Sequence, residues 1–392
     1  MGVGISTVMA GNDRGTPLLH FIQKSAAEAG FERVGVAPAK HPEMRELEKF
    51  SVWVDSGYAG EMDYLKRRNE SGEYQRSSLD QAIPWAKSVI VAAMNYNSSA
   101  PKSIEPAAST QGWISRYAHS PRDYHDTVLG ALCRVESALV EHLRETKEVT
   151  TRSYVDTGPV LERVYAKYSG IGWVGKNTCI INQQLGSWIF LGVIVTSLDL
   201  SEFVADEGLE IAPDRCGSCT RCIEACPTDA IVAPQQLDAS RCIAYFTIEK
   251  RGAIPEDMRE KIGRHIFGCD ICQDVCPWNR KAPVSASSDF QPHESLVNPD
   301  LKRLARISPQ EFRQRFRRSP ISRAKYSGLM RNIAVAMGNS GRAEYMDDLE
   351  RLAEGSDPNL TEHSRWAMDQ LRKQRRSNNS QQSEMGKSCL KS

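Results

Sequence analysis

No stretch of this 392-residue chain approaches the ~18 consecutive apolar residues that a membrane-spanning helix requires. The first residues, "MGVGISTVMAGNDRGTP", lack the basic segment and sustained apolar run of a secretory signal. The expectation is a soluble, cytoplasmic protein with no membrane partner. A large excess of either charge is also missing, with 50 Lys and Arg against 49 Asp and Glu, so any bias toward a charged partner must be local. The cysteines do not follow the pattern of a disulfide scaffold. Of eleven, eight fall between positions 216 and 276, and such crowding in an unexported chain argues for metal. The other three, Cys133, Cys179 and Cys389, are isolated and read as two buried thiols and a tail residue.

What is present divides into three parts. Residues 1–15 read as a flexible N-terminus. From 16 to 205, strands and helices alternate, which argues for an α/β domain. Thr16 and Pro17 open a first helix, "FERVGVAP" and "SVIVAAMNY" read as strands, a helix follows Asp123, and Ser187–Ser197 is a near-continuous apolar strand. Residues 206–285 hold the cysteines. After a polar linker from Ala282 to Pro299, residues 286–374 are wholly helical, in short pairs resembling one or two HEAT-like units that must lean on another domain. The polar, serine-rich segment 375–392 reads as disordered.

Cys216, Cys219, Cys222 and Cys226-Pro227 reproduce the C-x2-C-x2-C-x3-C-P run of bacterial ferredoxins, in which three thiolates hold one cubane and the fourth crosses to a second. "CDICQDVCP" supplies Cys269, Cys272 and Cys276, and Cys242 completes eight thiolates for two [4Fe-4S] clusters. The expected sets are Cys216, Cys219, Cys222 and Cys276 on one cluster, and Cys226, Cys242, Cys269 and Cys272 on the other. Zinc would accept C-x2-C spacing, but not the triple run with its trailing proline so readily. The displaced Cys242 implies that the second half has opened to fit something against its cluster.

Such clusters carry single electrons, so another group must collect two. "GIGWVG" spells G-x-G-x-x-G, but a helix-like segment precedes it where a dinucleotide site needs a strand. "DYHDTVLG" nearly matches a cobalt-ligating D-x-H-x-x-G motif, with Val128 where glycine is required. Between Lys302 and Arg331 lie ten basic residues (302, 303, 306, 313, 315, 317, 318, 323, 325 and 331) against one acidic residue, Glu311. That density is the electrostatic footprint of a nucleic-acid backbone.

Taken together, "VDTGPVLERVYAKYSGIGWVGKNT", "CGSCTRCIEACPTDAI", "RCIAYFTIEKRG", "FGCDICQDVCPWN" and "YSGLMRNIAVAMGN" resemble the epoxyqueuosine reductase family, in order, across residues 16–370. The resemblance implies a cobalamin-binding catalytic domain with no histidine on cobalt, a ferredoxin-like domain with two [4Fe-4S] clusters, and a helical HEAT-like domain that helps hold tRNA. It implies reduction of the epoxide at the anticodon wobble position to the alkene of queuosine by Co(I) cobalamin. It also implies an external low-potential electron donor and a monomeric enzyme. Asp156 matches the family's proton donor, which an apolar pocket flanked by Tyr154, Val155, Pro159 and Val160 would keep protonated. From the residues alone, the preferred reading of Asp156 is a helix N-cap before "GPVLERVYAKY". Lys176, Asn177 and Thr178 are candidate contacts to the corrin side chains. Tyr124 and His125, with Tyr117, are candidates for the wall of the cofactor and substrate pocket. A corrinoid reductive dehalogenase and an iron–sulfur electron-transfer subunit are the competing readings.

Overall fold

The computed structural model of the chain describes residues 17–40, 46–200 and 211–389, with side chains to 376. The Thr16 cap, the segment 1–15 and the boundary at 205 lie outside the described residues. Among those described, no helix is long and apolar enough to cross a membrane.

Period-two apolar patterning places β1 (Arg33–Pro38), β2 (Ser88–Asn95), β3 (Thr151–Tyr154) and β4 (Ile189–Thr196) in one sheet, ordered β1-β2-β4-β3. Every pairing is antiparallel. The alternating pattern did not reveal this direction. All eight residues of β2 are buried, so it reads as the unbroken apolar run usual in parallel sheets. One face of the strands, with Ile90, Ala92, Met94 and Ile194, packs on helices α1 (Pro17–Glu28) and α2 (Tyr124–Leu143). The other, with Val89, Val91, Ala93, Val193 and Val195, packs on α3 (Glu162–Tyr168). Gly35 of β1 permits that second approach, because a Cβ there would stand 2.0 Å from the Ser169 carbonyl oxygen.

Polar ties fasten the cysteine-rich region to this domain. The Asn97 amide donates to the Ala282 carbonyl, the Arg116 backbone N–H to Asp270, and the Ser103 hydroxyl to Asp274. A short parallel pairing joins Trp113–Ile114 to His265–Phe267. The C-terminal helices α4 (Leu301–Ala305), α5 (Pro309–Phe316), α6 (Lys325–Asn339), α7 (Met346–Ala353) and α8 (Pro358–Cys389) share one core with Ile114, Ala118, Ile266 and Phe267, so the helical region does lean on its neighbours. Ser308 and Glu311 form a reciprocal cap on α5, with Pro309 in its first turn.

Three expectations are corrected here. Helix α8 runs to Cys389, through most of the segment expected to be disordered. Once a helix is nucleated it extends at small cost, and no proline interrupts this stretch. Cys133 is exposed, because it lies on the outward side of α2, near the exposed Leu129. Arg331, counted among the candidate RNA contacts, is 1% exposed. Its guanidinium donates to the carbonyls of Phe246, Lys250 and Gly252 and ties α6 to the cysteine-rich region. Replacing Arg331 with Ala would leave those acceptors unmet and should cost on the order of 3 kcal/mol of stability. A shift in the midpoint of chemical denaturation would show it.

Candidate functional site

The two C-x2-C motifs form matching single helical turns, Arg221–Glu224 and Ile271–Asp274. Thiols of the first expected set lie together. Burial and then the neighbouring Cys216 raise Cys222, while burial and then Cys216 and Cys222 push Cys276 up to about 11. The second set also converges. Cys242 is raised by burial and influenced by Cys226, and Cys269 is raised by burial and then by Cys242. The Ala230 N–H points at Cys226 Sγ from 3.3 Å, the kind of contact that stabilises cluster sulfur. Among the described residues, no three His, Cys, Asp or Glu side chains close on a point that would hold a single ion. Cys242 stands ahead of a π-helical turn, Tyr245–Glu249, whose Phe246 packs against Val335 of α6. The helical region therefore occupies the space that the displaced cysteine opened.

A cavity of about 970 Å³ lies where the sheet, the cysteine-rich region and the helical region meet. Asp156 lines it from the loop between β3 and α3, held at φ +58°, a left-handed conformation that non-glycine residues seldom adopt. It does not cap a helix, since α3 begins only at Glu162 with Leu161 as its N-cap residue. Tyr124 donates its hydroxyl to Asp156 Oδ2 at 2.5 Å, and His125 Nε2 stands 3.9 Å from the same oxygen. Burial, and then the Asp156 carboxylate, hold the Tyr124 proton far above its ordinary range, so Tyr124 remains a donor. Its ring stacks on Phe190, with centroids 4.2 Å apart. His125 is fixed by Asp123 at 2.7 Å from Nδ1 and by Arg323 at 2.6 Å from Nε2.

The apolar pocket expected around Asp156 is not how it sits. Its side chain is 52% exposed, Val155 and Val160 are buried in the cores on opposite faces of the sheet, and only Pro159 of the expected valines and proline lines the cavity. The carboxyl that is buried is Glu162, 8% exposed, which lines the same cavity. Its Oε1 has no hydrogen-bond partner among the described residues. Burial, and then the nearby Asp156, push Glu162 up to about 7. Nothing in the sequence marked it apart from the ordinary acid of a helical first turn.

The "GKNT" turn faces elsewhere. Lys176 donates to the Gly217 carbonyl and buried Asn177 to the Cys272 carbonyl, while Thr178, at φ +66°, turns the chain and offers its carbonyl to Arg163. Lys176 and Asn177 thus grip the cysteine-rich region, Thr178 is held by Arg163 of α3, and none of the three lines the cavity, contrary to their expected corrin contacts. In "GIGWVG", Gly172 lets the backbone pass Ile181, whose carbonyl oxygen would lie 2.3 Å from a Cβ. Tyr117, Tyr124 and His125 do line the cavity. So does Cys179, a thiol read as merely buried, which lies near enough to Cys272 for the two thiols to influence one another and so joins the second cysteine set to the cavity wall. Arg323, counted with the surface charges, reaches the cavity from the helical region.

The Glu162 shift fixes a pH dependence. Because the folded chain binds this proton more tightly than the unfolded one, the stabilisation is complete below the ordinary carboxyl range and is lost as pH rises through about 7. Glu162→Gln cannot ionise, so its melting temperature should gain on the parent's between pH 5 and pH 8. Parallel melting curves across that range would contradict the assignment.

Known proteins bear on these features. A family model for the 4Fe-4S double cluster binding domain matches residues 215–279, and one described as Epoxyqueuosine reductase QueG matches residues 76–157. The epoxyqueuosine reductase of Pseudomonas aeruginosa is 37% identical over 355 residues, covering 90% of this chain and 94% of that protein. That of Gloeobacter violaceus is 40% identical over 325 residues, covering 82% and 96%. A crystal structure of epoxyqueuosine reductase with an epoxyqueuosine-modified tRNA-Tyr stem loop superposes with a TM-score of 0.77, at 27% identity and 90% coverage of each chain. From the paired cysteine sets, the shared cavity and these likenesses, the chain belongs to the epoxyqueuosine reductase family.

Proposed function

We propose that this protein reduces the epoxide of epoxyqueuosine in tRNA to the alkene of queuosine, with Asp156 supplying a proton to the departing oxygen. One observation carries the reading. A tyrosine-held carboxyl, a thiol beside an expected cluster cysteine and an arginine from the basic helical region all open onto one cavity.

The cavity is at the upper end of the size usual for small-molecule sites. It fits a corrin by the chemistry of its walls. Ile180, Ile189 and Leu191 offer an apolar side, and Gln75 and Arg67 offer polar groups for amide side chains. His125, the nearest candidate for cobalt, has both ring nitrogens engaged by Asp123 and Arg323, which agrees with cobalamin bound without a histidine ligand. Bound there, cobalamin would supply the two-electron reductant. Cys179 and Gln273 form the wall toward the second cysteine set, so electrons have a short route from Cys226, Cys242, Cys269 and Cys272. The first set, beginning in the exposed loop around Gly217, is the natural meeting point for an external low-potential donor.

Tyr124 orients the Asp156 carboxyl by donating its hydroxyl to Oδ2, and the left-handed backbone at Asp156 directs the side chain into the cavity. Exposed Arg303, Arg313, Arg317 and Arg318 on and beside α4 and α5 would take the phosphates of the tRNA stem loop. Arg323 stands nearer the reacting base. An anticodon loop presents that base already unstacked, so little energy is spent extruding it. Every group invoked comes from a single chain, so the reading needs no second copy.

Anaerobically reconstituted protein, given a strong reductant and epoxyqueuosine-containing tRNA, should form queuosine, and failure to do so would refute the activity. Asp156→Asn should slow that conversion about 10²-fold or more while leaving tRNA affinity intact. Reversing the charge at Arg317 and Arg318 together should weaken binding and lower the slope of log K against log salt by about 2. An unchanged slope would remove these residues from the RNA surface.

A further inference from the structure

Epoxide removal places two protons on one oxygen. The first arrives as a C–O bond opens, the second as that oxygen leaves as water, and two electrons complete the alkene. Asp156 carries only one proton at a time. Its immediate neighbours are poor sources of another. Tyr124 is held protonated by burial and by Asp156 itself, and His125 is occupied by Asp123 and Arg323.

Glu162 is placed differently. It begins α3, at the end of the loop that carries Asp156, and lines the same cavity while only 8% exposed. Its Oε1 is closed to solvent and has no hydrogen-bond partner among the described residues. An acid in a helical first turn is favourable in itself, but that benefit is available on the solvent side of the helix and does not call for burial. The charges acting on Glu162 are Asp156 from the loop, Arg76 from the segment before β2, and Arg163 on its own helix. Glu249 and Arg323 line the cavity from the cysteine-rich and helical regions. The two nearby arginines favour the ionised form, and burial together with Asp156 opposes it more strongly.

We propose that Glu162 is the proton reservoir behind Asp156, passing its proton to the Asp156 carboxylate once the first transfer has been made. Both protons then reach the departing oxygen from one direction. The step balances. The epoxide takes two electrons, drawn ultimately from the external low-potential donor, and two protons, one from Asp156 directly and one from Glu162 through Asp156. The products are alkene and water, and both carboxylates regain protons from solvent before the next turnover. Glu162 acts through Asp156 and need not touch the substrate. The inference rests on the epoxide-reducing reading above.

The test is single-turnover conversion of an epoxyqueuosine-modified stem loop by pre-reduced, cofactor-loaded protein between pH 6 and pH 9. Glu162→Gln should bind the stem loop as the parent does, but convert it about tenfold or more slowly at neutral pH. It should also lose the parent's decline in rate as pH rises through neutrality. A variant matching the parent in rate and pH profile would overturn the reservoir and leave the epoxide reaction standing. A parent that forms no queuosine would overturn both. Independently of turnover and of how the variant folds, infrared spectra of the parent labelled with carboxyl-13C glutamate should show a protonated-carboxyl band at pH 6 that fades by pH 8. Absence of that band at pH 6 would also overturn the proposal.

Discussion

The site depends on a cage of hydrogen bonds that holds Cys272 against the cavity wall. Asn177 donates to the Cys272 carbonyl, Gln273 to the Ser187 carbonyl, and Asn279 bridges Ser187 to the Gln273 carbonyl. Arg116, itself buried, offers its backbone N–H to Asp270 while its guanidinium binds the Ser98 and Ala100 carbonyls. Asn177, Ser187, Asn279, Arg116 and Asp270 are buried, so their polar groups would be costly to leave unmet. The cage sets Cys272, an expected cluster ligand, beside Cys179 on the cavity wall.

With that contact fixed, the remaining parts fall into supporting positions. The antiparallel sheet, buried on both faces, gives the loop between β3 and α3 a rigid base, and this loop carries Asp156 at one end and Glu162 at the other. The helical region closes the third side through the buried Arg331, whose three hydrogen bonds to the Phe246, Lys250 and Gly252 carbonyls fix what would be a loose domain boundary. Its neighbour Asn332 adds two more, to the Thr247 and Ile266 carbonyls. The basic helices are thereby held in a fixed relation to the cavity, as the proposed function needs if one base is to be presented to one carboxyl.

Much of the site was legible in the sequence, for reasons that differ from residue to residue. The cysteines were readable because cluster ligation constrains spacing directly, and the C-x2-C turns form locally. Tyr124 and His125 were readable as pocket candidates because Asp123 visibly starts a helix, which its side chain caps by accepting from the His125 N–H. Asp156 was found by resemblance, and its local pattern pointed to a helix cap that does not form. Cys179 and Glu162 carried no local signal, since their surroundings come from segments far away in the chain.

The sequence by itself determined the spacing of the eight clustered cysteines, the apolar periodicity of strands and helices, and the excess of positive charge between residues 302 and 331, because each is a property of residue type and spacing. Only the tertiary structure decided which charges face water. Arg317 and Arg318 do, Arg323 reaches the cavity, and Arg331 is sealed inside, although all four lie in one basic run. It likewise decided that Glu162 is the buried carboxyl and Asp156 the half-exposed one. Burial and electrostatic environment are set by what packs against a residue from elsewhere in the chain, and the spacing of neighbours along the sequence does not contain that information.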